Sequence, residues 1–280
     1  SIYYKLSDIS ITQGTAPDNI ISTDQRGASS PRETINITMG SYQAIHTYYM
    51  AKSPGNWDDD AVWFTNTIGG TTPGAYTTVA TVTPSASNSG GIIINADVTV
   101  IADLEIDQIT VNSGRSLILN LGTVTVTGST DLVVNGSLDM GDGALSMGGA
   151  VLLYGDSSSL IYSGSGEQTT TLEEMSASGV VNLVIDNTDG VVLGSDLTTI
   201  SGNLTLTDGT FTTGDYDFTV EGDTTGSGNL TIDSGTVDVN GTFNVTGTID
   251  FTDAGNLKLG GATITSLGNL LTDFGTVYYD

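Results

Sequence analysis

Carboxylates are the chief chemical resource of this 280-residue chain. It carries 32 aspartates and glutamates against 6 lysines and arginines and one histidine, for a formal net charge of −26. Asp103, Glu105 and Asp107 alternate with Leu104 and Ile106, a spacing that sets three acids on one face of a strand. Asp58, Asp59 and Asp60 run beside Trp57, and Asp215 and Asp217 flank Tyr216. Carboxylate oxygens at such spacings suit calcium, a hard cation. Asp58, Asp59, Asp60, Asp103, Glu105 and Asp107 are therefore the candidate metal-ligating residues, and calcium is the one cofactor the sequence suggests. Stacked carboxylates about 4.8 Å apart repel by about 0.9 kcal/mol in water before screening, a cost that salt or divalent ions relieve. No EF-hand loop or Gly-Gly-x-Gly-x-Asp repeat is present, so plain solvation of an acidic face is favoured over calcium by the sequence.

Other chemistries are poorly supplied. The single histidine, His46, has no second histidine for a metal site and no Ser-His-Asp context. The glycines follow strand-like phrases rather than opening helices, so phosphate-cradling motifs are missing. A negative surface does not suit nucleic acid, which needs a basic patch. Cysteine is absent, which excludes disulfides and thiolate sites. No stretch reaches the 18 or more apolar residues of a helical membrane span.

The elements that would position these acids follow from composition. Residues 1–52 hold four cations and four acids, so residues 53–280 hold the whole negative excess. Of the 37 glycines, 34 lie after residue 52, whereas Tyr3, Tyr4, Tyr42, Tyr48 and Tyr49 lie before it. The last proline is Pro84, as expected where backbone N–H groups are needed in a sheet ladder. A phrase of alternating apolar residues closed by glycine recurs: Val124–Gly128, Leu132–Gly136, Phe218–Gly222, Val237–Gly241 and Phe243–Gly247. A second phrase follows it at Gly136, Gly202 and Gly228 (GSLDMGDGAL, GNLTLTDGTF, GNLTIDSGTV), with a close match at Arg115. Period-two strands ended by glycine corners predict a β-solenoid, in which each coil buries its apolar face by stacking on its neighbours. Within VTVTG, Val124 and Val126 are expected inside and Thr123, Thr125 and Thr127 outside. The expected class is all-β: a single-stranded parallel β-helix with an extended N-terminal arm. Its parts are the arm (1–52), an entry and cap segment (53–95), the β-helix (96–270) and a C-terminal strand (271–280). Only Thr171–Ala177 (TLEEMSA) has helix-like composition, and it is expected in a protruding loop.

The run from Gly164 to Asp223 resembles the glycine- and threonine-rich repeats of secreted bacterial surface proteins built as parallel β-helices. GNWDDDAVW from Gly55 is similar to the tryptophan-bearing segment that precedes such helices. The resemblance implies an adhesin, matrix component or surface fibre and an extracellular or cell-surface location; that the chain is not an enzyme is expected from its missing catalytic constellations. Enzymes share this architecture, and Asn187-Thr188-Asp189 matches one fragment of a pectin-hydrolase pattern. The Gly-His-Gly and Arg-x-Lys parts of that pattern are missing, so Asn187–Gly190 reads as a turn.

The ends of a solenoid carry unpaired backbone groups and need caps. Trp57, Trp63, Pro73 and Pro84 are expected to cap one end. The other finishes in an apolar and aromatic run with Tyr278 and Tyr279. The arm offers strands with alternating apolar residues: Ile2, Tyr3, Tyr4, Leu6, Ile9 and Ile11, then Ile35, Ile37 and Met39. These residues, with Tyr278 and Tyr279, form the expected assembly interface. Strand addition to a neighbour gives a head-to-tail homopolymer, and folding back as a cap in cis is the competing arrangement. A cell-surface adhesin or glycan-binding module, using the Gly164–Gly179 loop and its Glu167, Gln168, Glu173 and Glu174, is the other function class.

Overall fold

Alternation builds the body. Val124 and Val126 are buried while Thr123, Thr125 and Thr127 are half-exposed, and the same in-out pattern recurs in Leu132–Val134 and Phe218–Val220. The structure, a computed structural model, describes residues 47–66, 72–127, 131–175, 179–194, 199–261 and 263–280. Contacts divide the chain into residues 1–43 and 44–280, and all described residues belong to the second unit. Thr47–Ala51 is one of its strands, with Tyr49, Met50 and Ala51 buried. The packed body therefore starts ahead of the compositional break at residue 52.

Successive coils stack in register as a parallel β-solenoid. Leu117, Leu138, Leu160, Leu183, Leu204, Thr224 and Phe243 form one inward column, with steps of 19 to 23 residues. The steps vary because the corners, not the strands, absorb length changes. At one such corner Gly209 has φ +70, and a Cβ there would run into the carbonyl oxygen of Asn187 in the coil below.

Each coil visits three faces. One face is continuous, pairing Asn56, Thr99, Ile118, Asp139, Ile161, Val184, Thr205, Thr225, Asn244 and Ser266 in succession. The other two are interrupted. A sheet containing Ser89–Ile94, Ile109–Val111 and Asp131–Val134 stops at Val151–Tyr154, and a three-stranded sheet stops at Ala144–Ser146. After the interruption one new face begins at Gln168–Thr169 and another at Thr199–Ile200. A seam thus separates two stacks joined by one unbroken face.

The ends differ in pairing. Trp63–Asn66 runs antiparallel to Thr47–Ala51 and to Thr78–Val79, whereas all other described strand pairs are parallel. Trp57 and Trp63 meet edge to face with ring centroids 4.7 Å apart, buried beneath these strands. At the opposite end Ile264–Leu271 and Thr276–Tyr279 are the last strands of their stacks.

Candidate functional site

The seam is where the fold departs most from repetition. Thr171–Met175 covers the ends of the two interrupted sheets, and Glu174 and Met175 are buried. The side chain of Glu174 accepts from the Tyr162 hydroxyl (2.9 Å), from the Thr171 backbone N–H and from the Thr171 hydroxyl. Its carbonyl oxygen accepts from the Tyr154 hydroxyl at 2.7 Å. Burial, reinforced by the Glu174 charge, pushes both phenols well above their usual 10.0. Glu173 supplies the ladder acceptor that the missing strand would have given: its Oε2 accepts from the Met147 N–H at 2.6 Å. Gln168 staples the two stacks. Its Nε2 donates to the carbonyls of Met140 and Gly141 (2.6 and 2.7 Å), and its Oε1 accepts from Gly164 N and Asn187 Nδ2 (2.9 and 2.8 Å).

A recess of about 270 Å³ opens beside this network, lined in part by Asp142, Glu167, Gln168 and Glu174. The expected protruding loop is thus corrected. Of its four polar residues only Glu167 and Glu173 are exposed, because the carboxylate of Glu174 and the amide of Gln168 close the seam. Asn187–Gly190 is a turn, with Asn187 buried and Gly190 at φ +97. The only aromatic ring in the lining, Tyr162, is buried, so the recess offers no exposed ring for stacking a sugar.

The acids have a different use from the one their spacing suggests. Asp97 Oδ1 accepts from Ser116 N, Asp103 Oδ1 from Thr123 N, Asp142 Oδ1 from Ser165 N, Asp217 Oδ1 from Thr236 N and Asp223 Oδ1 from Thr242 N, at 2.6–3.0 Å. Asn182, Asn203 and Asn229 do the same for Asn203, Asp223 and Thr248. Each acceptor lies one coil, 19 to 23 residues, before its donor. Corners take backbone N–H groups out of the ladder, and a carboxylate or amide reaching forward satisfies them with strong bonds. The two bonds from Ser165, through its N–H and its hydroxyl, hold Asp142 below 3.8. Burial pushes Asp139 the other way, with the Ser163 hydroxyl bond opposing and Asp186 adding to the rise.

Along the strands most acids also avoid stacking on acids. Asp139 lies between Ile118 and Ile161, Asp238 between Thr219 and Lys258, and Asp250 between Thr231 and Leu271, although Asp186 does face Asp208.

The six candidate ligands are not brought together. Asp103 and Glu105 line one recess with Leu104, Thr123 and Thr125, whereas Asp107 follows the strand Leu104–Ile106 and is not in that lining. Asp59 accepts from Ala61 N at 2.9 Å while Asp58 and Asp60 stand exposed. Among the described residues no three or more Asp, Glu or His side chains converge as a metal site.

The terminal coil is the second candidate. Ile264, Leu267, Leu270, Val277 and Tyr279 stand directly over Phe243, Val245, Ile249, Leu257 and Leu259. The lower five are buried, and the upper five are exposed or half-buried. Phe274, Tyr278 and Tyr279 are 67%, 51% and 61% exposed. Lys258 ties this coil down, its Nζ 2.7 Å from Asp280 and 3.1 Å from Asp238. The bonds to Asp280 and Asp238 raise the Lys258 amine above its ordinary value. Of the expected assembly residues, Tyr278 and Tyr279 lie on this exposed coil. Ile2, Tyr3, Tyr4, Leu6, Ile9, Ile11, Ile35, Ile37 and Met39 lie outside the described residues, as does His46.

No family model, curated protein or solved structure matches the chain. Among the described residues no helix is long and apolar enough to cross a membrane.

Proposed function

We propose that the chain is a structural subunit of an extracellular filament or surface matrix, assembling head to tail by N-terminal strand addition to a neighbouring copy. The observation that carries this reading is the terminal coil, where five core-column positions are exposed or half-buried although their counterparts one coil earlier are buried. Direct stacking of one body on another is disfavoured because the opposite end is closed by antiparallel strands and two buried tryptophans. A separate strand is then needed to bridge copies, and residues 1–43 hold the alternating apolar segments that could supply one. Their near-neutral charge suits an approach to a body that carries nearly the whole acidic excess.

Negative-stain microscopy of the intact chain and of a chain starting at Ala44 tests the reading. Uniform filaments are expected from the first and none from the second. Filaments from the shortened chain would refute strand addition, and an intact chain that stays dispersed at every salt concentration would refute the subunit role.

The recess beside Gln168 and the exposed Leu172 favour a second reading, a surface adhesin or carbohydrate-binding module for glycans or other cell-surface material. Glycan-array binding that is lost in Glu167→Ala is its expected signature, and a silent array removes it.

A further inference from the structure

We infer that Tyr4–Ile11 of one copy forms the next solenoid corner on the terminal coil of another copy, with Leu6 stacked over Leu267 and Ile9 over Leu270. The inference rests on the filament reading and specifies its joint.

The first ground is a match of pattern. Tyr4-Lys5-Leu6-Ser7-Asp8-Ile9-Ser10-Ile11 corresponds position by position to Leu104-Glu105-Ile106-Asp107-Gln108-Ile109-Thr110-Val111. In the body that second sequence is a strand (Leu104–Ile106), a two-residue corner and a strand (Ile109–Val111), with Ile106, Ile109 and Val111 fully buried. Two apolar-x-apolar units separated by two polar residues are therefore a form that this solenoid already uses to turn between faces. The other alternating segment of the arm, Glu33–Met39, contains no such break.

The second ground is the shape of the acceptor. Leu267 and Leu270 extend the columns of Val245 and Ile249 onto two faces and are separated by two residues, Gly268 and Asn269. Gly268 takes φ +53 to make that turn. Columns at the preceding coil are separated by three residues, Thr246 to Thr248, so the terminal coil returns to the two-residue corner seen at Asp107-Gln108. Leu6-Ser7-Asp8-Ile9 reproduces it. An added strand in the same parallel register covers Leu267 and Leu270 and pairs the free strand edge. Lys5 and Asp8 cancel in charge, so this segment approaches the acidic body without net repulsion.

The chain has no cysteine, which makes the joint directly testable. Neighbouring strands lie about 4.8 Å apart, within the Cα separations of about 4.4–6.8 Å that a disulfide spans. Asp8→Cys combined with Asn269→Cys, oxidised and run without reductant, is expected to give a ladder of covalent multimers. Asp8→Cys combined with Thr248→Cys, one coil too low, is expected to give none. Leu6→Asp is expected to abolish the filaments while leaving the thermal melt unchanged. A cross-link confined to monomers means that the arm folds back in cis and overturns the inference. Filaments that persist in the Asp8→Cys/Asn269→Cys chain without any cross-link overturn the register while leaving the filament reading intact. A wild-type chain that forms no filaments overturns both.

Discussion

The two ends of the solenoid meet the same physical problem in opposite ways. At the start of the body the chain reverses, and antiparallel strands Trp63–Asn66 and Thr78–Val79 continue the sheet away from the first coil. Beneath them the indole N–H of Trp57 donates to the Pro84 carbonyl (3.0 Å), and that of Trp63 to the Trp57 carbonyl (2.9 Å). Large rings with satisfied N–H groups close the core there. At the other end direction never reverses, and the core columns run out to the surface through Leu267, Leu270, Val277 and Tyr279. A parallel stack is finished by changing strand direction, and a stack that keeps its direction stays ready for another strand.

Substitutions at the two ends would sharpen this contrast most. Trp63→Ala is expected to cost about 3–5 kcal/mol, read as a lowered urea midpoint, whereas Tyr279→Ala should stay within about 0.5 kcal/mol. Equal losses would mean that the two ends are equally closed. At the seam, Glu174→Ala leaves the Tyr162 hydroxyl and the Thr171 N–H without their acceptor, and about 2–3 kcal/mol should be lost. Hydrogen exchange should rise first around Ala144–Ser146 and Val151–Tyr154; unchanged protection there would show that the seam does not depend on the carboxylate.

In the interior between the ends, Thr224 places a buried hydroxyl with no hydrogen-bond partner between Leu204 and Phe243. Thr224→Val should therefore raise stability by about 1 kcal/mol, and a loss would indicate that the hydroxyl is satisfied in solution.

The smallest effects separate two aspartates by sign. Asp142 is held below 3.8 by Ser165, so its contribution is present above 3.8 and lost as pH falls through its folded value. Asp139 is pushed up by burial, so its contribution is complete below 3.8 and lost as pH rises through its folded value. At neutral pH Asp142→Asn should destabilise and Asp139→Asn should stabilise; the first difference shrinks as pH falls below 3.8, and the second shrinks already above 3.8, as pH falls through the raised folded value. Denaturation midpoints followed against pH check this, and shifts of the same sign would contradict the assigned causes.

The solenoid was legible because its signal is local. Val124 and Val126 had to face inward once period two was recognised, and Trp57 and Trp63 stood out as bulk near one end. The forward bonds of Asp97, Asp103 and Asp223 were not legible. Each partner lies one coil away, and coil length varies with the corners, so spacing along a single strand suggested calcium ligands instead. Glu174 was hidden by composition, since TLEEMSA reads as polar and exposed. A usable signal was nevertheless present in SLIY at Ser159–Tyr162: a tyrosine at an inward position brings a hydroxyl into the core and requires an acceptor. The edge of the body was blurred because the tyrosine-rich composition of residues 1–52 extends into the strand Thr47–Ala51.

The forward reach of the corner acceptors also makes the molecule directional in time. A carboxylate such as Asp217 or Asp223 is fixed by its own coil before the coil that carries its donor exists. If turns are added from the tryptophan-closed end, each new one meets corner acceptors already in place; added in the opposite order, corner N–H groups would wait for theirs. The same acidity that sets the net charge at −26 thus acts as a template, guiding each turn of the winding chain onto the last.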